Sequence, residues 1–208
     1  MVLRASSQKR EEKERVRLVL MRAALRLSAE HGFASLGLRE VSRAGAIAPT
    51  SFYRHFADMP ELGTALVEEL VRPLLGSLAK RAIEADESAT GQRAASLVDG
   101  MLLAVGADAE LVRFIVAERV GAFASLRRAL AAEFDALATV LEAPQKSGAR
   151  GGQQPSSGAA AAAVVALLFD GFARALDLPI HLRAELRERL IASLTLVLEA
   201  SRGAPRQP

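Results

Sequence analysis

The chain has 208 residues, half of them hydrophobic and a quarter charged, with a net charge of +3 and no cysteine. This composition excludes disulfides, thiolate metal sites, cysteine nucleophiles and thiol redox sensing, and its apolar content at low net charge excludes wholesale disorder. The longest uninterrupted apolar run, Gly158 to Phe169, has twelve residues, short of the roughly 18–20 a membrane span needs. The first twenty residues are too charged for a secretory segment, so the expectation is a cytoplasmic chain with no membrane partner.

The charge is unevenly spread. Residues 1–60 hold eleven Lys/Arg against six Asp/Glu, and residues 61–208 hold sixteen against eighteen. A basic head on a mildly acidic body suits a polyanion partner for the head alone, although a solvated N-terminus would give the same count.

The elements read as helices almost throughout, because Ala, Leu, Arg and Glu dominate and no segment alternates with a period of two. Val16, Leu20, Ala23, Ala24 and Leu27 share one face of a first helix at about 10–31, which Gly32 ends. A short second helix is expected at about 38–44. A third, at about 49–56, starts on Pro49, whose missing N–H costs nothing there. Asp58 and Glu61 form a helix-start signature like a capping box. The fourth helix then runs to about residue 85, with Pro73 expected to kink it near Arg72. Further helices are expected at about 90–105, 108–118, 122–142, 158–177 and 181–201. Residues 143–157 hold two Pro, three Gly and three Ser and read as a mobile loop, and the tail from residue 203 to 208 reads as disordered. The fold class is therefore all-α, with about nine helices. A helix-turn-helix head spans 1–57 with a basic N-terminal extension, and a helical body spans 58–202.

The informative stretch is Gly32 to Phe56. Leu38, Val41, Ile47, Phe52 and Phe56 can close a small core against the first helix. Pro49, Thr50, Ser51, Tyr53, Arg54 and His55 are then left on the outward side of the third helix, with Arg39 on the second. That surface has donors, a guanidinium and a phenol, and almost no negative charge. It suits a major groove entered N-terminus first, with Tyr53 and His55 donating to phosphates and Arg54 reaching a phosphate or a guanine edge. A generic three-helix packing with a polar outer face would share the same pattern.

Gly32-Phe33, the helix Leu38 to Ala44, the Gly45-Ala46 turn and Tyr53-Arg54-His55-Phe56 together resemble the DNA-binding signature of TetR-family transcriptional regulators. The resemblance covers about a quarter of the chain. It implies a homodimer on a palindromic double-stranded operator and a body that binds a small-molecule effector. The segment from Ser35 to Gly63, with Glu118-Arg119-Val120-Gly121 and Ala175-Leu176-Asp177 further on, is similar to the unsaturated-fatty-acid repressor branch, the FabR and DesT type. That similarity implies control of fatty acid synthesis or desaturation genes by acyl-CoA or acyl carrier protein thioesters. The alternative is a repressor sensing another hydrophobic molecule, such as a drug, with efflux or catabolic targets.

Three departures from the signature stand out. The turn reads Gly45-Ala46 instead of Ala-Gly, so either Ala46 adopts a left-handed backbone at a cost of order 1 kcal/mol or the helix ends early on Gly45. Gly37 replaces the Ser or Thr cap of the second helix, leaving Glu40 to reach back alone. The lysine that commonly follows the closing Phe is replaced within Ala57-Asp58-Met59.

In the body, the resemblance implies dimerisation through helices 158–177 and 181–201. Ala159 to Ala163 would allow close approach, and Leu186, Leu190, Leu194 and Val197 would form a stripe; an ordinary core pair is the alternative. Candidate effector contacts are Met101, Leu102, Val105, Phe114, Phe169 and Phe172, each of which could equally be core. Arg113 and Arg119 could meet a thioester head or phosphate, or an internal salt bridge such as one with Glu118. His31, His55 and His181 lack metal-ligand spacing, and there is no nucleophile elbow or phosphate loop, so neither an enzyme nor a cofactor is expected.

Overall fold

The computed structural model describes residues 2–85, 89–142 and 158–203, and among them every regular element is helical. The expected mobile loop 143–157 and the tail beyond residue 203 lie outside the described residues. The helices are α1 (Val2–His31), α2 (Leu38–Ala44), α3 (Pro49–Phe52), α4 (Met59–Leu66), α5 (Arg72–Glu84), α6 (Thr90–Ala107), α7 (Ala109–Glu118), α8 (Ala124–Glu142), α9 (Gly158–Asp177) and α10 (Arg183–Gly203). Short 3-10 turns cover Phe33–Ser35 and Ile180–Leu182. The expected fourth helix is present as α4 and α5, separated by a π turn at Val67–Val71.

That π turn has a cause in the sequence. Proline removes one N–H and sets its ring against the carbonyl four residues back. For Pro73 that carbonyl belongs to Glu69, in the middle of the widened turn. The irregularity therefore falls one turn earlier than Arg72, where the proline alone would have put a kink. A π turn absorbs the misfit.

The chain forms two compact units. One comprises residues up to Val71 together with 113–130, and the other residues 72–112 and 131 onward. The first unit thus runs past residue 57. Its centre is Phe33, fully buried, whose ring meets Phe114 edge-on at 5.6 Å and Phe123 at 6.0 Å. Leu20, Ala24, Val41, Phe52 and Phe56 are buried in the same unit. Such edge-to-face aromatic pairs add roughly 0.5–1.5 kcal/mol each beyond their buried area.

In the second unit α5, α6, α9 and α10 pack together around Leu97, Met101, Leu168, Phe172, Leu186, Leu190 and Leu194, all buried. Gly171 makes this possible. A Cβ at that position would come within 2.5 Å of Met101 Sδ and 2.9 Å of Leu190 Cδ1, so α9 approaches α6 and α10 only because residue 171 has no side chain. The stripe Leu186, Leu190 and Leu194, read from sequence as an interface, is internal core in this chain. The apolar groups α10 leaves outside include Leu196, which is 68% exposed.

Helix α9 also differs from the sequence expectation about membranes. Its 20 residues have a best window of mean hydropathy 1.7, long and apolar enough to cross a bilayer by length and composition. The count of uninterrupted apolar residues missed this because Asp170 interrupts the run. Only 44% of that window is buried within the chain, and its buried side supplies Val164, Leu168 and Phe172 to the core.

Candidate nucleic-acid interface

The outward face of the head is built by α2, the turn after it, and α3. Helix α2 starts on the backbone of Gly37, whose carbonyl accepts from Glu40 and Val41 N–H at 3.0 and 3.1 Å. The side chain of Glu40 makes no hydrogen bond among the described residues, so the reciprocal cap expected from it is not formed. At the other end, Arg26 Nη2 donates to the Ala44 carbonyl at 3.2 Å, which ties the end of α2 to α1.

The turn resolves the Gly45-Ala46 question. Gly45 is right-handed, with φ −86°, and Ala46 takes the left-handed conformation at φ 54°. Gly45 is needed for space instead. A Cβ there would lie 3.2 Å from Val19 Cγ1 and 3.6 Å from Ile47 Cγ1. The glycine is spent on the close approach of α1, and the alanine carries the backbone strain.

Helix α3 is shorter than the expected 49–56. It starts with Pro49 in the first turn and gives way at Tyr53 to tight bonds three residues back, Arg54 N–H to Ser51 O at 3.1 Å and His55 N–H to Phe52 O at 2.8 Å. Phe52 and Phe56 are buried beneath it and stack at 5.6 Å. Arg39, Pro49, Thr50, Tyr53 and Arg54 are exposed, and Ser51 and His55 are half-buried. Tyr53 is 65% exposed while its ring leans edge-on against Phe52 at 6.0 Å. The face is outward as the periodicity implied, except that Ser51 and His55 are partly tucked in.

His55 has its Nδ1 buried without a hydrogen-bond partner. Burial first, then the positive charges of Lys13, Arg17 and Arg54, hold its imidazole below the ordinary range. Both causes favour the neutral imidazole over the charged one.

Arg17 was not singled out from sequence. Its guanidinium meets Glu69 at 2.6 Å, donates from Nη1 to the His55 carbonyl at 2.8 Å, and lies 4.4 Å over the Phe56 ring. It pins the end of α3 and the π turn to α1. No local signal distinguishes it from the other arginines of a basic helix. After Phe56 the chain starts α4 with a capping pair. Asp58 Oδ1 accepts from Glu61 N–H at 2.8 Å, and Glu61 Oε2 accepts from Ala57 N–H at 2.5 Å. The return bond goes to Ala57, one residue ahead of the cap.

The residues expected to contact an effector divide between the units. Met101, Val105 and Phe172 are buried in the second unit, where Leu102 is half-buried and the half-buried Phe169 packs edge-on against Phe134 at 5.9 Å. Phe114 is buried in the first unit against Phe33. Arg113 and Arg119 are exposed. Glu118, considered as an arginine partner, instead accepts from the Phe33 N–H at 3.3 Å and has its other oxygen unpartnered. Asp99 is held by Arg187 through two bonds of 2.6 and 3.0 Å, and Asp170 by Arg174 at 2.7 Å. No group of three or more metal-ligating side chains occurs among the described residues.

Residues 20–66 match the family model described as bacterial regulatory proteins, tetR family. Solved structures share the fold. The fatty acid degradation regulator FadR from Bacillus halodurans aligns with a TM-score of 0.63 at 14% identity, over 93% of this chain and 97% of that one. A TetR family transcription regulator from Marinobacter aquaeolei VT8 aligns at 0.63 and 10%, over 93% and 97%. The multidrug binding protein EbrR, complexed with imidazole, aligns at 0.58 and 20%, over 92% and 97%. The family match lies within the head, at residues 20–66, and the structural likenesses show the helical fold of head and body.

Proposed function

We propose that the chain is a ligand-responsive transcriptional repressor that binds a palindromic operator as a homodimer. The observation that carries this reading is the exposed face Pro49, Thr50, Tyr53 and Arg54, raised on buried Phe52 and Phe56 and free of carboxylates. The family match over residues 20–66 supports it. The face enters the major groove with the start of α3 foremost, Thr50 and Ser51 allowing close approach, Tyr53 and Arg54 meeting the backbone or a guanine edge, and Arg39 flanking. A two-fold operator needs two heads. The half-exposed apolar side of α9, together with Leu196 on α10, supports dimerisation through these two helices.

The effector is a hydrophobic small molecule received by the body, with Met101, Leu102, Val105, Phe169 and Phe172 as contacts. The sequence similarity to unsaturated-fatty-acid repressors favours an acyl thioester and control of fatty acid genes. The fold shared with EbrR supports a second reading, a drug-like effector with efflux or catabolic targets. Titrating the protein against its own upstream region at two salt concentrations tests the regulator: a specific site with a steep salt slope is expected. Calorimetry with long-chain acyl-CoA separates the two effectors. Binding of the thioester supports the first, and its absence leaves the second.

A further inference from the structure

Glu118 is the one charged side chain buried among the described residues. It is 4% exposed, its Oε1 accepts from the Phe33 N–H at 3.3 Å, and its Oε2 has no hydrogen-bond partner. A Cβ at Gly121 would fall onto Glu118 Oε2 and lie 2.9 Å from its Cδ, so the turn after α7 closes over the carboxyl only because residue 121 has no side chain. Phe33 is held as closely on its other sides. Its ring meets Phe114 and Phe123, and a Cβ at Gly63 on α4 would come within 2.9 Å of its Cε1. The 3-10 turn that begins at Phe33 leads into α2. A carboxyl on α7 thus ends on the residue where α1, α2 and α4 meet. The charged groups of the surrounding elements are engaged elsewhere or turned outward. Glu30 faces His31 at 3.7 Å, Glu61 accepts from the Ala57 N–H, and Arg127 donates to the Gly121 and Ala122 carbonyls at 2.6 and 3.0 Å. Arg39, Glu40, Arg113, Arg119 and Arg128 are exposed. None of these forms an ion pair with Glu118 among the described residues.

We propose that Glu118 is a proton-binding positioning residue for operator recognition: its neutral carboxyl stays docked on the Phe33 N–H and fixes the α1–α2 junction beneath the recognition face, and its ionised form is drawn toward water and frees that junction. The neutral group keeps an oxygen for the amide and leaves at most one O–H unpaired. An unpaired carboxylate in the same place bears the larger cost of leaving water. Burial accordingly favours the protonated group, with the Phe33 amide opposing it in part. A head with a loosened junction must be ordered again on the duplex, so its affinity is reduced by the fraction of chains that remain docked. By linkage, the operator-bound chain keeps the Glu118 proton to higher pH than the free chain does. Operator affinity is then insensitive to Glu118 at pH values below the free chain's midpoint, and it falls as pH rises through that midpoint.

This role rests on the operator-binding reading, and the test separates the two. Anisotropy with the chain's own upstream region, at one salt concentration and from about pH 5 to about pH 8, compares the wild type with Glu118→Gln, which keeps an acceptor for the amide and cannot ionise. Titration of His55 and of other groups on the recognition face is common to both proteins and cancels in their ratio. The wild type is expected to lose about tenfold in affinity relative to Glu118→Gln across this range, the ratio given by a one-unit difference in midpoint between free and bound chain. Gly121→Ala displaces the carboxyl without removing it, and is expected to bind weakly at both ends of the range with its helicity intact by circular dichroism. If the ratio of wild type to Glu118→Gln is constant with pH, or if Gly121→Ala binds as the wild type does, the proton site falls and the regulator stands. If neither the wild type nor Glu118→Gln binds that region at any pH, the operator-binding reading falls and the proton site with it.

Discussion

The carboxylate of Glu118 accepts a hydrogen bond from the backbone N–H of Phe33 across 85 positions of sequence, at 3.3 Å, and it does so almost wholly buried, with no ion pair among the described residues. The bond fixes the end of α7 to the junction between α1 and α2. Burial raises the carboxyl above its ordinary value of 4.5, the Phe33 amide lowering it in part.

A pH dependence follows from that shift. The folded chain holds the Glu118 proton to higher pH than the unfolded chain, so its contribution to stability is fully present below about 4.5 and is lost as pH rises through the raised folded value. Glu118→Gln keeps an acceptor for Phe33 and has no charge to bury. It is expected to remove this component of the decline and to match or exceed the wild type in denaturant midpoint at pH 8. Glu118→Ala leaves the Phe33 amide unpaired and is expected to cost about 1–3 kcal/mol.

The turn between α2 and α3 offers a stabilising change. Ala46→Gly relieves a left-handed alanine and is expected to raise stability by roughly 0.5–1 kcal/mol, part of the gain being offset by the freer unfolded chain. Gly45→Ala is expected to lower it, since the new methyl meets Val19 at 3.2 Å. Thermal melts of the two variants should therefore move in opposite directions although both exchange the same two residue types.

Tyr53→Ala separates binding from folding. The ring is 65% exposed, so the substitution should change stability by no more than about 0.5 kcal/mol. Operator affinity should fall by at least tenfold, equivalent to about 1.4 kcal/mol. Circular dichroism and anisotropy on the same sample check both halves.

Arg17 is expected to tolerate no substitution well. Alanine loses the Glu69 pair, the His55 carbonyl bond and the stacking on Phe56, and should cost roughly 1–2 kcal/mol given its partial exposure. Lysine should recover less than half of this, because a point charge cannot serve an ion pair, a carbonyl and an aromatic face together. Urea midpoints at unchanged slope would show it.

The elements legible in the sequence are those fixed by local rules. Helices α2 and α9 fall on the expected residues, 38–44 and 158–177, because apolar periodicity and flanking Gly and Pro set them. Helix α3 ends at Phe52 because its last turn tightens to satisfy amides above buried Phe56, a tertiary demand that spacing does not express. The outward face of Thr50, Tyr53 and Arg54 was legible for the same reason as the helices. Arg17 and Glu118 were not, since their roles depend on partners 38 to 85 residues away. The Leu186, Leu190 and Leu194 stripe shows the converse: periodicity marks a face as apolar without saying whether the same chain covers it.

In terms of insertion and deletion, the π turn at Val67–Val71 is a helix holding one residue more than it needs, and Pro73 is the reason it can keep it. Each is a liability alone. Deleting a residue from the turn would press the proline ring back onto the carbonyl behind it, and replacing the proline would leave a widened turn with nothing to accommodate. The extra residue and Pro73 are therefore coupled, and removing both together is expected to cost less stability than the two single changes added.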